Sequence, residues 1–212
     1  MTLSEFRVAV NAVPSAGVLR ERYGFLLYSL VRYLRPSHVV EIGTWRGYSC
    51  AWMARALQDN EHGHLTAIDD WSLSGASLAE TSRSVVELGL GDLVSFVPGD
   101  SLQTPWPKPA EFVFLDGNHS LQVVAREVEK AGAHGARTIV LHDTTSWWGP
   151  SEWLARVRHA TAMVGEDNLW DFVEFPDAEG LTVLHRRQPK PQPQFDRGRF
   201  PNGYIHAVGA KA

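Results

Sequence analysis

Eleven residues constrain this chain more than any other stretch: Val39-Val40-Glu41-Ile42-Gly43-Thr44-Trp45-Arg46-Gly47-Tyr48-Ser49. They read as a buried strand with an acid near its end, a turn punctuated by two glycines, and the start of a helix. Backbone amides in such a turn can approach a ligand while a carboxylate stands below it. Two further apolar strands end in the same chemistry. Leu65-Thr66-Ala67-Ile68 runs into Asp69, and Phe112-Val113-Phe114-Leu115 runs into Asp116-Gly117-Asn118-His119. Three acid-tipped strands in one order place a cofactor and a reaction centre along one edge of a sheet.

The spacing of the glycines separates two ligand classes. A dinucleotide turn uses G-x-G-x-x-G, so that pyrophosphate can sit on the helix N-terminus. Here the pattern is E-x-G-x-x-x-G, and Thr44, Trp45 and Arg46 fill the turn. The second close-approach glycine is missing. A nucleoside ligand without pyrophosphate fits better, and S-adenosylmethionine (SAM) is the obvious one, with Asp69 placed to take ribose hydroxyls. The plain alternative is a glycine turn that only closes a strand–helix connection.

The rest of the chain fits that reading. Apolar residues recur at helical spacing from Gly17 to Leu34 and stop before Pro36. Strands are then expected at His38–Ile42, His64–Ile68, Val94–Pro98, Phe112–Asp116 and Thr138–His142. Helices are expected at about 49–58, 76–88, 121–131 and 151–164. Two last strands, Trp170–Phe175 and Leu181–His185, are close enough for a hairpin across 176–180, so one of them runs antiparallel. The fold class is α/β: a doubly wound, Rossmann-like, mostly parallel sheet with helices on both faces and an antiparallel last strand. One domain spans 1–187, with a helical cap over about 1–36. Residues 188–212 form a proline-rich tail, in which Phe200–Tyr204 could fold back over a site or a neighbouring subunit.

Composition excludes several classes. A chain of 212 residues suits one domain with a sizeable core. The formal net charge of -4 gives no general attraction to nucleic acid or anionic membrane, and neither is expected as a partner. The single cysteine, Cys50, excludes an internal disulfide and reads as a small buried helix residue. No secretory signal and no bilayer-length apolar run are visible, so a cytoplasmic protein is the default expectation.

With these motifs in view, the chain resembles the class I SAM-dependent methyltransferases. Within them it looks like the small-molecule O-methyltransferases related to macrolide sugar O-methyltransferases and cephalosporin hydroxylase-like proteins. The resemblance rests on Glu41–Ser49, Ala67–Trp71, Gly99-Asp100-Ser101, Phe114–Ser120 and Val140-Leu141-His142-Asp143-Thr144. It implies that Glu41, Gly43, Thr44, Gly47 and Ser49 line the methionine and sugar side of SAM. Asp69 and Asp70 would serve the ribose, and Asp100 and Ser101 would lie near the adenine. Asp116 would also border the cofactor, and Asp116 and Asp143 match ligands of a divalent ion, usually Mg²⁺. His142 stands where the pattern usually has a carboxylate or another residue. His119 falls at the position of the catalytic base.

The chemistry requires such groups. An alcohol is a poor nucleophile near neutral pH and needs a base, a metal or both to attack a methyl sulfonium. An unperturbed histidine side chain has the chemistry of a base near neutral pH, which favours His119 in that role; the bland reading is a solvated histidine ahead of an N-cap at Ser120. His142 is a second candidate base or, if it points inward, a nitrogen ligand favouring Mn²⁺, Fe²⁺ or Zn²⁺. In a regular strand, however, His142 and Asp143 face opposite ways. Trp71, Trp147 and Trp148 either wall a sugar or aromatic substrate or pack a lid, whereas Trp45 and Trp52 read as core, and Tyr23, Tyr28 and Tyr33 as core or interface. The expected activity is methylation of a hydroxyl on a small natural product by a homo-oligomer. The alternatives are a SAM-binding accessory protein of a partner hydroxylase and an NAD-dependent oxidoreductase.

Overall fold

The computed structural model describes residues 1–13, 21–72, 75–144, 169–176 and 180–187. The chain opens with α1 (Leu3–Val10), which the sequence reading covered only as part of the cap. Its start is a capping box: Thr2 accepts from the Glu5 N–H, and the Glu5 carboxylate accepts from the Thr2 N–H at 2.7 Å. Helix α2 (Glu21–Leu34) follows, its earlier expected residues 17–20 lying outside the described ones.

From there strands and helices alternate as β1 (His38–Ile42), α3 (Tyr48–Asn60), β2 (His64–Asp69), α4 (Leu78–Glu87), β3 (Val94–Pro98), β4 (Phe112–Leu115), α5 (Leu121–Ala133), β5 (Thr138–His142), β6 (Trp170–Phe175) and β7 (Leu181–Arg186). The expected helix at 151–164, the pair Trp147-Trp148, most of the 176–180 turn and the tail from 188 lie outside the described residues.

Among the described residues, seven strands form one sheet in the order β3-β2-β1-β4-β5-β7-β6. The first five are parallel, and β7 runs antiparallel to both β5 and β6. The chain thus winds outward from β1 through β2 to β3, then returns to add β4 on the other side. The crevice at that reversal, beyond the carboxyl ends of β1 and β4, is where ligands bind in open α/β sheets. Ile42 pairs with Ile68 on one side and Leu115 on the other, and Leu115 pairs with Leu141. Glu41, Asp69, Asp116 and His142-Asp143 are therefore level along one edge.

Apolar side chains fill both faces. Phe6, Leu27, Trp52, Leu57 and Phe114 belong to one core, and Val40, Val113, Val128, Ile139 and Trp106 to the other. Helix α3 is buried along most of its length because α2 crosses it closely. A Cβ on Gly24 would meet the Trp52 indole at 2.3 Å, so this crossing requires glycine. Cys50 is fully buried, as expected. Among the described residues no helix is long and apolar enough to cross a membrane.

Candidate active site at the carboxyl edge of the sheet

The turn after β1 is held from below. Glu41 is fully buried, and its carboxyl accepts from Thr44 Oγ1 at 3.1 Å and from the Ser49 hydroxyl. Burial pushes its pKa up to about 8; the Ser49 and Thr44 hydrogen bonds oppose that shift, and the nearby Asp116 charge adds to it. The group bracing this turn is therefore largely protonated near neutral pH. Thr44 and Ser49 are buried with it. Gly43 (φ 82°) and Gly47 (φ 86°) both occupy the left-handed region. A Cβ on Gly43 would lie 2.3 Å from the Asp116 carbonyl oxygen. Its bareness lets the loops after β1 and β4 pass each other.

Asp69 ties the β1 turn to the next loop. Its Oδ2 accepts from the Trp45 N–H at 2.7 Å and its Oδ1 from the Trp71 N–H at 2.6 Å. Trp45 (φ 44°) and Trp71 (φ 49°) both take backbone conformations costly for bulky residues. The Thr81 hydroxyl donates to the Trp45 carbonyl and accepts from Trp71 Nε1 at 3.1 Å, which locks the pair. Trp45 is thus a half-buried turn residue with the Arg46 guanidinium 4.5 Å from its ring centroid, not the core residue its sequence suggested; Trp52 is core. Tyr23 is buried, whereas Tyr33 on the same helix is 85% exposed.

Asp70 is exposed, and hydrogen bonds from Ser72 hold its carboxyl below the usual range. Asp100 Oδ1 accepts from the Leu102 and Gln103 N–H groups at 2.7 and 3.3 Å. The Ser101 hydroxyl donates to Glu127 of α5. Glu127 is 1% exposed, and burial raises its pKa to about 7 against the lowering effect of Ser101.

Four side chains converge beyond β4 and β5. His142 Nδ1 lies 2.9 Å from Asp116 Oδ1 and 3.4 Å from Asp143 Oδ1. His119 Nε2 lies 3.2 Å from Asp143 Oδ2 and 4.0 Å from Asp116 Oδ1. Strand alternation forbids His142 and Asp143 from sharing a side, and the backbone resolves the conflict. Asp143 leaves the strand at φ 56°, which swings its carboxylate back over the imidazole that precedes it. The His142 ring is buried beside Tyr23 and Phe114, with centroids 6.0 and 6.5 Å away. Packing thereby fixes its direction. His119 is held by a short loop in which Asn118 Oδ1 accepts from the Ser120 N–H at 2.9 Å, just before α5.

The donor set fits a divalent cation. Asp116, His142 and Asp143 each offer a ligand atom, and these atoms lie within 4.8 Å of one another. Two carboxylates and one imidazole in that space match the charge and ligand preferences of such an ion.

Glu127 was not singled out in the sequence, although a signal was there. Val124, Glu127, Val128 and Ala131 stand at helical spacing on one face of α5, and all are buried. A carboxyl in an apolar stripe marks a group with a partner inside.

Comparison with known proteins agrees with this architecture. The methyltransferase domain family matches residues 40–144, which run from β1 to just past Asp143. The chain is 24% identical over 209 residues to a caffeoyl-CoA O-methyltransferase of Stellaria longipes, covering 87% of this chain and 83% of that one. Among solved structures, SAH-bound methyltransferase PaMTH1 of Podospora anserina superposes with a TM-score of 0.67 at 18% identity, covering 88% of each chain. The SAM complex of the O-methyltransferase TomG of Streptomyces achromogenes gives a TM-score of 0.65 at 21% identity, covering 88% of this chain and 89% of that one. These two share the fold.

Proposed function

The chain belongs to the class I SAM-dependent methyltransferases, and we propose that it transfers the methyl group of SAM to a hydroxyl of a small molecule, such as a sugar, a phenol or another natural product. The observation that carries this reading is the 3.2 Å approach of His119 to Asp143 at the edge where the sheet order reverses.

In this reading SAM lies along the β1 turn. Gly43 and Gly47 give that turn its left-handed backbone, while Glu41, Thr44 and Ser49 brace the turn beneath. Asp69 takes the ribose hydroxyls with the lone pairs it does not give to Trp45 and Trp71, Asp70 flanks it, and Asp100 and Ser101 face the base.

His119 receives the proton of the acceptor hydroxyl as its oxygen attacks the methyl carbon in line with the departing sulfur. Asp143 Oδ2 orients the imidazole and stabilises the imidazolium that forms. One carboxylate serves both histidines, since its other oxygen faces His142. His142 is enclosed by Tyr23 and Phe114, which suits a ligand better than the alternative role of base. Holding the two reactants in near-attack geometry can supply roughly 7–11 kcal/mol of the barrier.

Asp116, His142 and Asp143 would hold a divalent ion, which when bound supplies Lewis acidity toward the acceptor oxygen. Because His142 turns a nitrogen toward the two carboxylates, Mn²⁺ or a softer ion suits the set better than Mg²⁺.

The test is incubation with SAM and a panel of catechols, phenolic acids and sugars, read by mass spectrometry for a methyl ether. Ether formation on at least one hydroxyl is expected. Methylation confined to nitrogen or carbon acceptors in a matched panel would overturn the O-methyl reading.

A further inference from the structure

The mechanism leaves one buried carboxyl unused. Glu127 is 1% exposed and lines, with Gly117, Val124 and Leu141, the cleft that also reaches His119 and His142. A carboxyl in an apolar stripe is costly to desolvate, and a leucine or glutamine would hold α5 to the sheet at lower cost. The specific thing Glu127 does is accept the hydroxyl proton of Ser101.

Ser101 stands where a nucleoside would end. Asp69 pairs with Pro98 at the end of β3, and the Gly99 N–H donates to the Asp69 carbonyl at 2.9 Å, so residues 100–101 begin just beyond the proposed ribose site. The backbone of Ser101 has hydrogen bonds of its own: its carbonyl accepts from Lys130 Nζ at 2.7 Å and from Trp106 Nε1 at 2.9 Å. Lys130 also reaches the Thr104 carbonyl at 2.7 Å. Among these hydrogen bonds, only the one from the Ser101 hydroxyl is made to Glu127.

A serine hydroxyl has one proton. With Glu127 ionised, above its pKa of about 7, that proton is engaged by the carboxylate and Oγ presents only lone pairs to a ligand. We propose that Glu127 is a positioning residue for the donor's nucleobase: it fixes Ser101 Oγ as an acceptor and so selects a base carrying an exocyclic amine over one carrying a keto oxygen. A keto oxygen would meet lone pairs and leave two acceptors facing each other in a desolvated site. This inference rests on the reading of the β1 turn and Asp69 as the SAM site.

The experiment is calorimetric binding, above pH 7 where Glu127 is ionised, of S-adenosylhomocysteine and S-inosylhomocysteine, which differ at C6 (amine against keto) and with it at N1 (acceptor against N–H), to the native protein and to three variants. The native protein is expected to prefer the adenosyl ligand by about tenfold or more, the factor corresponding to one mismatched buried hydrogen bond. Glu127→Leu and Ser101→Ala should each bring the two affinities within about threefold, because the oriented acceptor is gone. Glu127→Gln, which still offers a carbonyl oxygen to Ser101, should keep most of the preference. A merely structural role would weaken both ligands together in Glu127→Leu and leave the ratio at the native value, and that result would overturn the proposal. Should Glu127→Leu not fold, an unchanged ratio in Ser101→Ala overturns it equally. A native protein that binds neither ligand would remove the SAM-site reading itself, and this inference with it. Native binding with an unchanged ratio in the variants removes only the role of Glu127.

Discussion

His119 Nε2 and Asp143 Oδ2 lie 3.2 Å apart, although one residue follows β4 and the other β5. The contact exists because Asp143 adopts φ 56° and turns its carboxylate toward the neighbouring loop. If His119 is the base, His119→Ala should lower kcat by roughly 10²- to 10⁴-fold. The dissociation constant for SAM should stay near the native value, since in that reading His119 faces the acceptor side. Normal turnover in this variant would remove His119 from the chemistry, and parallel loss of SAM binding would make its role structural.

The cation reading yields a separate test. Asp116 offers one of the three ligand atoms, and its Oδ1 is 2.9 Å from His142 Nδ1. Asp116→Asn should weaken Mn²⁺ binding by at least about 10- to 100-fold, the range seen when even an outer partner of a metal ligand is lost. Titration of Mn²⁺ and of Mg²⁺ into protein stripped with EDTA should also show the stronger heat for Mn²⁺. Equal, weak heats from native protein and variant would leave the cluster as a hydrogen-bonded network only.

The strand ends were the legible part of this site. Glu41, Asp69, Asp116 and His142-Asp143 each follow an apolar run, and parallel strands bring their carboxyl ends level. The joint approach of His142 and Asp143 was not legible. Period-two alternation says they diverge, and a left-handed aspartate is set by tertiary context that no local pattern encodes. Trp45 misled for a related reason: a large apolar residue reads as core, yet Asp69, Thr81 and Trp71 together hold it on a turn. Glu127 stands in a charge-rich stretch, Arg126-Glu127-Val128-Glu129-Lys130, and only its spacing to Val124 and Ala131 marks a buried position.

The two glycines of the β1 turn should differ in their intolerance of a side chain. A Cβ on Gly43 meets the Asp116 backbone carbonyl at 2.3 Å and the Gly117 Cα at 2.6 Å, which neither loop can yield without moving Asp116. A Cβ on Gly47 meets the Thr81 and Val85 methyls at 3.2 and 3.3 Å, which can give way. Both sites also carry positive φ. Gly43→Ala should cost about 2–4 kcal/mol and lower Tm by roughly 5–12 °C. Gly47→Ala should cost about 1–2 kcal/mol, mostly the left-handed backbone. Thermal unfolding of the two variants measures this order, and equal shifts would contradict the packing argument.

Glu41 makes the stability of the fold fall with rising pH. Its carboxyl titrates at about 8 in the folded protein, against a usual value of 4.5, with burial as the main cause. The folded state therefore holds this proton when the unfolded state has released it. By linkage, the contribution is full below about pH 4.5 and is lost progressively up to about pH 8, because above the unfolded value folding must either retain a proton or bury a charge. The total is on the order of a few kcal/mol at the alkaline end. Glu127, raised to about 7, adds a loss of the same sign over the lower part of that window. In Glu41→Gln the amide oxygen can still accept from Ser49 or Thr44 without a charge to desolvate. Urea unfolding of native protein and variant from pH 5 to 8 should show a shallower decline for Glu41→Gln. An unchanged slope would mean that water reaches Glu41 when it ionises and that its burial carries no such linkage.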